Sequence, residues 1–403
     1  MGNSKEYIQK LHGDSKGYIT RAEIKDNIYS QWHYTIGSLA EQDFTGENTY
    51  ISQNTFYKPQ RRIENIKELK SLYIDLDTYN TLYTSSQILL NLQENYFNQS
   101  IPRPNLVVNS GRGLYLEWTI KSAPYKALPL WKAIEEYLYK QLKEFGADNK
   151  ALDPTRVLRV VGTINSKSNT RVEVLQDYNY LYDLREIQQG FLPELQEKKV
   201  KTKGRPKKIY SIYRERSLYY ARIKDITMIC ELREYDLKGH REVILFLYRY
   251  YLCYFTQDTE QALQDTIDLN SEFKRPLNER EVKGATKSAE KVFLSQNKQY
   301  KYTNKKLIEI LSITEKEQEY LITIIGQAEY MKRNNEYNKK KYIEKLKADG
   351  KMTKKEELEQ TRAKIKSLRE KGFKNKDIMI TLGIDSTTTF ERHIKVLKEQ
   401  GLI

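Results

Sequence analysis

The sequence predicts an α+β chain, with a mixed sheet in its first half and an all-α second half. Three observations carry that prediction. Short apolar or β-branched runs bounded by turn formers fall within residues 1–192, where most of the Gly and Pro punctuation also lies. From residue 213 onward strand signals vanish and helical spacing takes over. Between the halves, residues 198–208 read Lys-Lys-Val-Lys-Thr-Lys-Gly-Arg-Pro-Lys-Lys, with seven basic residues and no acidic one, the composition of a linker. The expected organisation is a sheet-bearing domain at 1–192, a basic linker at 193–212, a helical domain at 213–297, and a further helical region at 298–403 whose last part, 361–403, forms its own unit.

Strands are expected at 71–76, 106–109, 114–118, 157–161 and 170–175, with helices between them at 85–97 and 127–145. The second of these helices gathers Leu128, Trp131, Ile134, Leu138 and Leu142 on one broad face. Past the linker, helical patterns cover 242–255, 259–273, 279–294, 304–311 and 315–325. A highly charged stretch at 329–360 then leads to three short helices at 361–371, 375–382 and 386–398. No internal repeat is evident.

With 403 residues the chain can bury two or three cores. Its 39% hydrophobic and 31% charged residues are polar for a globular chain but too apolar and aromatic for a disordered one. No run approaches the ~20 uncharged apolar residues that cross a bilayer, and the N-terminus lacks the layout of a secretory signal. Cytoplasmic residence, without membrane association, is the expectation. Cys230 and Cys253 are isolated in helical contexts and offer neither a disulfide framework nor a zinc site. The net charge of +15 favours a polyanionic partner, above all nucleic acid, since each phosphate neutralised releases counterions.

The most chemically suggestive segment is Leu72-Tyr73-Ile74-Asp75-Leu76-Asp77. On a strand, Asp75 and Asp77 share one face, Cα atoms ~7 Å apart, while Ile74 and Leu76 face the core. Two carboxylates so close repel unless a cation neutralises them, and a hard divalent ion suits their oxygens; solvated aspartates at a strand end are the plain alternative. The turn at Ser110-Gly111-Arg112-Gly113, leading into Leu114-Tyr115, allows backbone N–H groups to approach a phosphate, though alone it is an ordinary hairpin turn. Last, Asp148 and Asp153 precede a strand carrying Arg156 and Arg159, followed by a Gly turn and Lys167. Those cations suit a triphosphate while an aspartate completes a metal site.

In that order, the three segments resemble the motifs of the archaeo-eukaryotic primase (primase-polymerase) superfamily, and the Arg-Val-Leu-Arg-x-x-Gly-Thr-x-Asn-x-Lys run at 156–167 resembles the primase-like domains of plasmid and phage replication proteins. The match covers residues 65–175. The resemblance implies a primase-polymerase-like catalytic domain, with Asp75, Asp77 and Asp148 as catalytic metal ligands for Mg²⁺ or Mn²⁺ and Asp153 the rival for the third place. It implies nucleoside triphosphate contacts from Ser110, Arg112, Gly113, Tyr115, Arg156, Arg159 and Lys167. One departure stands out: Tyr115 falls where the family places a histidine, and tyrosine carries no positive charge near neutral pH.

Residues 237–293 resemble the helical domain that follows such catalytic domains in replication initiators. The last helices read as a helix-turn-helix whose recognition helix displays Thr387, Thr388, Glu391, Arg392 and Lys395 to a major groove, or as a trihelical protein-binding unit. In the linker, Lys203, Arg205, Lys207 and Lys208 are DNA-contact candidates; Gly204-Arg205-Pro206 resembles an AT-hook core, against a plain basic tether. The implied function is replication initiation for a plasmid or other mobile element, with primer synthesis on single-stranded template, binding of origin duplex, and host helicase and polymerase as partners. The alternative is a non-catalytic origin-binding initiator with a degenerate primase fold that recruits host proteins, and a transcriptional regulator is a weaker third. There is no Gly-x-x-x-x-Gly-Lys-Ser/Thr phosphate loop to suggest a helicase motor.

Overall fold

A computed structural model describes residues 3–192, 212–295 and 300–403. The chain divides into two compact units, Met1–Ile325 and Gly326–Ile403. Lys203, Arg205, Lys207 and Lys208 lie outside the described residues.

The first unit opens with helix α1 (Ser4–His12), N-capped by the Asn3 side chain. Strands β1 (Ile19–Lys25) and β2 (Ile28–Tyr34) follow, an antiparallel hairpin that turns on Asp26 and Asn27, both left-handed at φ 52° and 62°. Asn and Asp tolerate that conformation, which matches the twist of the flanking strands. Next come α2 (Ile36–Ala40), β3 (Thr49–Ser52), β4 (Thr55–Phe56) and the long β5 (Ile66–Leu76). Helix α3 (Ser85–Asn95) starts from a Thr84–Gln87 capping box. Strands β6 (Leu106–Asn109) and β7 (Leu114–Pro124) lead to α4 (Leu128–Leu142), then β8 (Val157–Arg159), β9 (Ile164–Asn165), β10 (Thr170–Arg171), β11 (Glu173–Asp177) and α5 (Leu184–Phe191).

The α+β class is realised, and the expected mixed sheet resolves into antiparallel ladders. One sheet runs β2-β1-β3-β8 and the other β11-β6-β7-β5-β4, with β9 and β10 a separate ribbon. In this half, the strands at 157–161 and 170–175 and the helix at 127–145 are cut short or split. The strand at 157–161 stops at Arg159, because Thr163 folds back to donate to the Val160 carbonyl around left-handed Gly162 (φ 91°). The strand at 170–175 breaks at Val172, whose backbone bonds Gly162 and Thr163, leaving β10 to pair with β9 and β11 with β6. The helix at 127–145 is α-helical only over α4, with tighter 3-10 turns at both ends and left-handed Gly146 beyond.

Strand β5 is buried on both sides, so the anticipated contrast between a core face and a solvent face is incomplete. Ile74 and Leu76 are fully buried, but so is Tyr73 on the Asp75 side, its ring 5.7 Å from Trp131 of α4. Opposite β7, β4 pairs only with the start of β5, and side chains satisfy the next part of that edge. Asn54 Oδ1 accepts from Lys70 N, Trp131 Nε1 donates to the Ser71 carbonyl, and Glu135 Oε1 accepts from Tyr73 N. Buried backbone polar groups left unpaired would each cost about 1–3 kcal/mol, which accounts for a buried Trp and Glu on α4.

Helices α6 (Ile212–Leu232), α7 (Arg241–Thr256), α8 (Thr259–Ser271), α9 (Glu279–Ser295) and α10 (Asn304–Leu311) complete the first unit with the short α11 (Glu315–Gln318). They pack directly on the sheet-bearing half. Lys132 Nζ of α4 donates to the carbonyls of Leu152 and Thr256, Tyr248 Oη reaches Glu64 at 3.1 Å, and Arg62 pairs with Glu272 at 2.5 Å. The helix expected over 315–325 ends at Gln318 for a specific reason. The buried Asp225 carboxylate accepts from the backbone N–H groups of Ile322, Thr323 and Ile324, pulling that stretch out of helical geometry.

In the second unit the charged stretch is helical: α12 (Gln327–Ala348) buries none of its residues, and α13 (Lys354–Glu370) begins well before 361. Unbranched Lys and Glu side chains favour helix without burial. Together, α13, α14 (Asn375–Leu382) and α15 (Thr387–Glu399) enclose a small core of Ile365, Ile378, Phe390 and Leu397. Among the described residues, no helix is long and apolar enough to cross a membrane.

Candidate active site

The end of β5 organises the site. On one side, β7 pairs with it so that Tyr115 stands directly opposite Asp75. On its free edge the segment 146–148 takes the place of a strand: Asp77 N donates to the Gly146 carbonyl and Asp148 N to the Asp75 carbonyl, both at 2.9 Å. That pairing brings Asp148 beside Asp75 and Asp77 although it lies far along the chain. Two glycines permit the close approach. A Cβ on Gly113 would sit 2.1 Å from the Leu76 carbonyl oxygen, and one on Gly146, at φ +86°, would sit 2.8 Å from the Asp77 carbonyl.

Asp75 opens into a cleft of about 700 Å³ whose wall also carries Tyr115, Arg156, Arg159 and Lys167. Burial pushes the Asp75 carboxyl up to about 7, with Asp77 and Asp148 adding to the effect and Arg156 opposing it. Asp77 is likewise raised, by burial and then by Asp148. Burial works against the Arg156 charge, but Asp75, Asp148 and Asp153 outweigh it and raise its pKa. Its guanidinium lies 3.7 Å from the Asp148 carboxylate. Arg159, buried on β8, lies 4.8 Å over the Tyr50 ring and bonds Asn165 Oδ1 at 3.1 Å, while its Nε has no hydrogen-bond partner among the described residues. Lys167 is exposed at the rim.

The other candidates divide. Both carboxylate oxygens of Asp153 accept from Thr155, from its N–H at 2.9 Å and its hydroxyl at 2.7 Å, in a buried turn. Asp153 reaches the cleft wall already occupied, whereas Asp148 joins the Asp75–Asp77 pair. Ser110 is buried with its hydroxyl on the Gly113 carbonyl, and Asn165 Nδ2 donates to the Ser110 carbonyl at 2.7 Å, so this turn is fastened to the loop that carries Lys167. Arg112 is absent from the cleft wall and lies 4.1 Å over the Tyr79 ring. Tyr115 is buried, and burial together with Asp75 raises its pKa, which keeps the phenol neutral. On α15, Thr387, Thr388, Glu391, Arg392 and Lys395 are exposed, and Phe390, His393 and Leu397 are buried.

Sequence reasoning missed the rest of the cleft. Tyr29 and Gln31 reach it from the hairpin, Tyr50 from β3, Arg61 from a loop, and Gln261, Gln264 and Asp268 from α8. The only local signal was the Asp26-Asn27 turn between alternating runs.

Among the described residues no group of three or more His, Cys, Asp or Glu side chains forms a ready-made metal cage. Asp75 and Asp77, with Asp148 alongside, are the residues that could hold a divalent cation. Their hard oxygen donors and mutual repulsion fit Mg²⁺ or Mn²⁺, ions often held by one or two carboxylates plus substrate phosphates.

An α+β chain whose cleft is lined by both carboxylates and cations, with Asp75 across from Arg156, Arg159 and Lys167, invites comparison with enzymes that handle nucleotides. No family model matches the sequence. The structure is similar to the primase-polymerase domain of cyanophage S-2L, with 16% identity and TM-score 0.35 over 46% of this chain and 95% of that one. It is also similar to the catalytic domain of primase RepB′ in complex with initiator DNA, with 14% identity and TM-score 0.32 over 46% and 91%. In sequence the chain is 61% identical over 401 residues to a replication protein of Clostridium perfringens, spanning 100% of this chain and 98% of the relative. The chain belongs to that replication protein family.

Proposed function

We propose that this protein initiates replication of a plasmid or similar element and synthesises primers by divalent-metal-dependent nucleotidyl transfer. The observation that carries the reading is the docking of 146–148 on the β5 edge, which brings Asp148 beside Asp77 and Asp75, the last of which lines a cleft together with Arg156, Arg159 and Lys167. A bound Mg²⁺ or Mn²⁺ would lower the pKa of an attacking hydroxyl and neutralise phosphate charge. The chain's residues do the remainder. Arg156 and Arg159 offer forked donors, and Lys167 a mobile one, to the triphosphate of an incoming nucleotide. The 3′-oxygen of the growing strand forms a bond to the α-phosphorus, the bond from that phosphorus to the bridging oxygen breaks, pyrophosphate leaves, and the hydroxyl proton passes to solvent. Those cations stabilise the charge that gathers on the leaving group.

Origin duplex recognition is assigned to the terminal three helices as a helix-turn-helix, supported by the exposure of Thr387, Thr388, Arg392 and Lys395 on α15. Recruitment of host helicase and polymerase completes the scheme. A second reading, a non-catalytic initiator, is favoured by Tyr115, a neutral phenol at the family's histidine position. Purified protein should extend primers on single-stranded DNA with Mg²⁺ or Mn²⁺ and lose all product to a chelator. No product under any metal, with origin duplex still shifted in a gel, would establish the second reading.

A further inference from the structure

Past the Asp77 end of β5 the surface forms a second, shallow hollow of about 490 Å³ that shares no lining residue with the cleft. Thr78, Tyr79, residues 81–85 and the Gly111–Arg112 turn line it. Large side chains stand out to solvent there: Leu82 at 99%, Tyr83 at 58% and Tyr79 at 52% exposure. The Arg112 guanidinium makes a 4.1 Å cation–π contact with Tyr79, and none of its donors is taken by a hydrogen bond or ion pair among the described residues. From the same ring, the Tyr79 hydroxyl reaches the Asp77 carboxylate at 3.4 Å. No acidic residue occurs in 78–84.

Exposed aromatic side chains, Tyr83 and the Tyr79 ring on its side away from Arg112, beside a guanidinium whose N–H donors are open, suit a single-stranded nucleic acid. Rings stack any base, and the forked donors match a phosphate. Reaction geometry says which strand. In an in-line displacement the attacking oxygen enters opposite the leaving pyrophosphate. Arg156, Arg159 and Lys167 lie along the Asp75 cleft, so the attacking strand comes from the side where the chain continues past Asp77. We propose that segment 78–84 and Arg112 seat the primer strand, stacking its last bases on Tyr79 and Tyr83 and bringing its 3′-hydroxyl to Asp77. This rests on the nucleotidyl-transfer reading and moves Arg112 from the nucleotide to the primer.

The test uses the full chain and a primer–template whose penultimate primer base is 5-iodouracil, which photo-crosslinks to nearby tyrosines. Mass spectrometry should place the crosslink on Tyr79 or Tyr83. Arg112→Ala and Leu82→Ser, both surface changes, should each cut its yield about 10-fold and raise the primer KM by a similar factor, without moving the nucleotide KM. Crosslinks confined to other segments, or an unchanged primer KM in both variants, overturn the proposal even if wild-type protein makes primers. A Tyr79 or Tyr83 crosslink from a protein that makes no product under any metal retains the strand seat and overturns the enzymatic reading instead.

Discussion

Asp148 and Asp153 are close in sequence and both precede the basic strand, yet their surroundings give them different work. Each carboxylate oxygen of Asp153 already accepts from Thr155, whereas Asp148 adjoins Asp75 and Asp77 with Arg156 within 3.7 Å. Asp148→Asn should therefore reduce primer synthesis about 100-fold or more at nearly unchanged stability, since a metal ion contributes several kcal/mol to the transition state. Asp153→Asn should instead lower unfolding free energy by about 1–2 kcal/mol, read by denaturant titration, because the amide's NH₂ cannot accept from Thr155. Another residue sets a pH dependence. His12 is fully buried, bonded by Ser15 and the Ser52 carbonyl, and burial lowers its pKa to about 4. The unfolded chain takes up this proton near 6.5 and the folded chain only near 4, so the contribution is present above 6.5 and is lost as pH falls through that window. It amounts to on the order of 3 kcal/mol. Buried carboxylates with raised pKa act in the opposite sense, so the measurement is a difference: stability of wild type minus that of His12→Gln should shrink between pH 7.5 and 4.5.

At the scale of elements, backbone groups recruited by side chains explain what the sequence showed and what it concealed. The alternation in Leu72–Asp77 exposed the acidic pair at once. Nothing local shows that 146–148 will pair with the edge of β5, because that pairing is made by main-chain atoms, and Gly146 marks it only through the space it leaves. Likewise the apolar spacing at 315–325 suited a helix until Asp225, distant in sequence, claimed three of its N–H groups. Asp225→Ala should cost about 3 kcal/mol or more, by stranding those donors, and a lowered Tm would report it. Had the helix been intrinsically favoured there, the same variant would gain helical circular dichroism and lose little stability.

For the molecule as a whole, the cleft was only half legible because its walls come from distant parts of the chain. Motifs marked Asp75, Arg156, Arg159 and Lys167, but Tyr29, Tyr50, Gln261 and Gln264 converge through tertiary packing of the hairpin, β3 and α8. The net charge of +15 was legible from composition and makes affinity for DNA salt-dependent. If α15 reads duplex DNA, Arg392→Ala with Lys395→Ala should weaken origin binding and reduce the slope of log K against log salt by about 2, measured by fluorescence anisotropy, while leaving primer synthesis on single strands intact.

The most direct test of the central claim is template-directed incorporation of a labelled nucleotide by wild-type protein and by an Asp75→Ala/Asp77→Ala variant of matched fold, each with Mg²⁺ or Mn²⁺. Product from the wild type that disappears in the variant, with binding of origin duplex unchanged, is the predicted result. Equal product from both would contradict it by removing the β5 carboxylates from the chemistry.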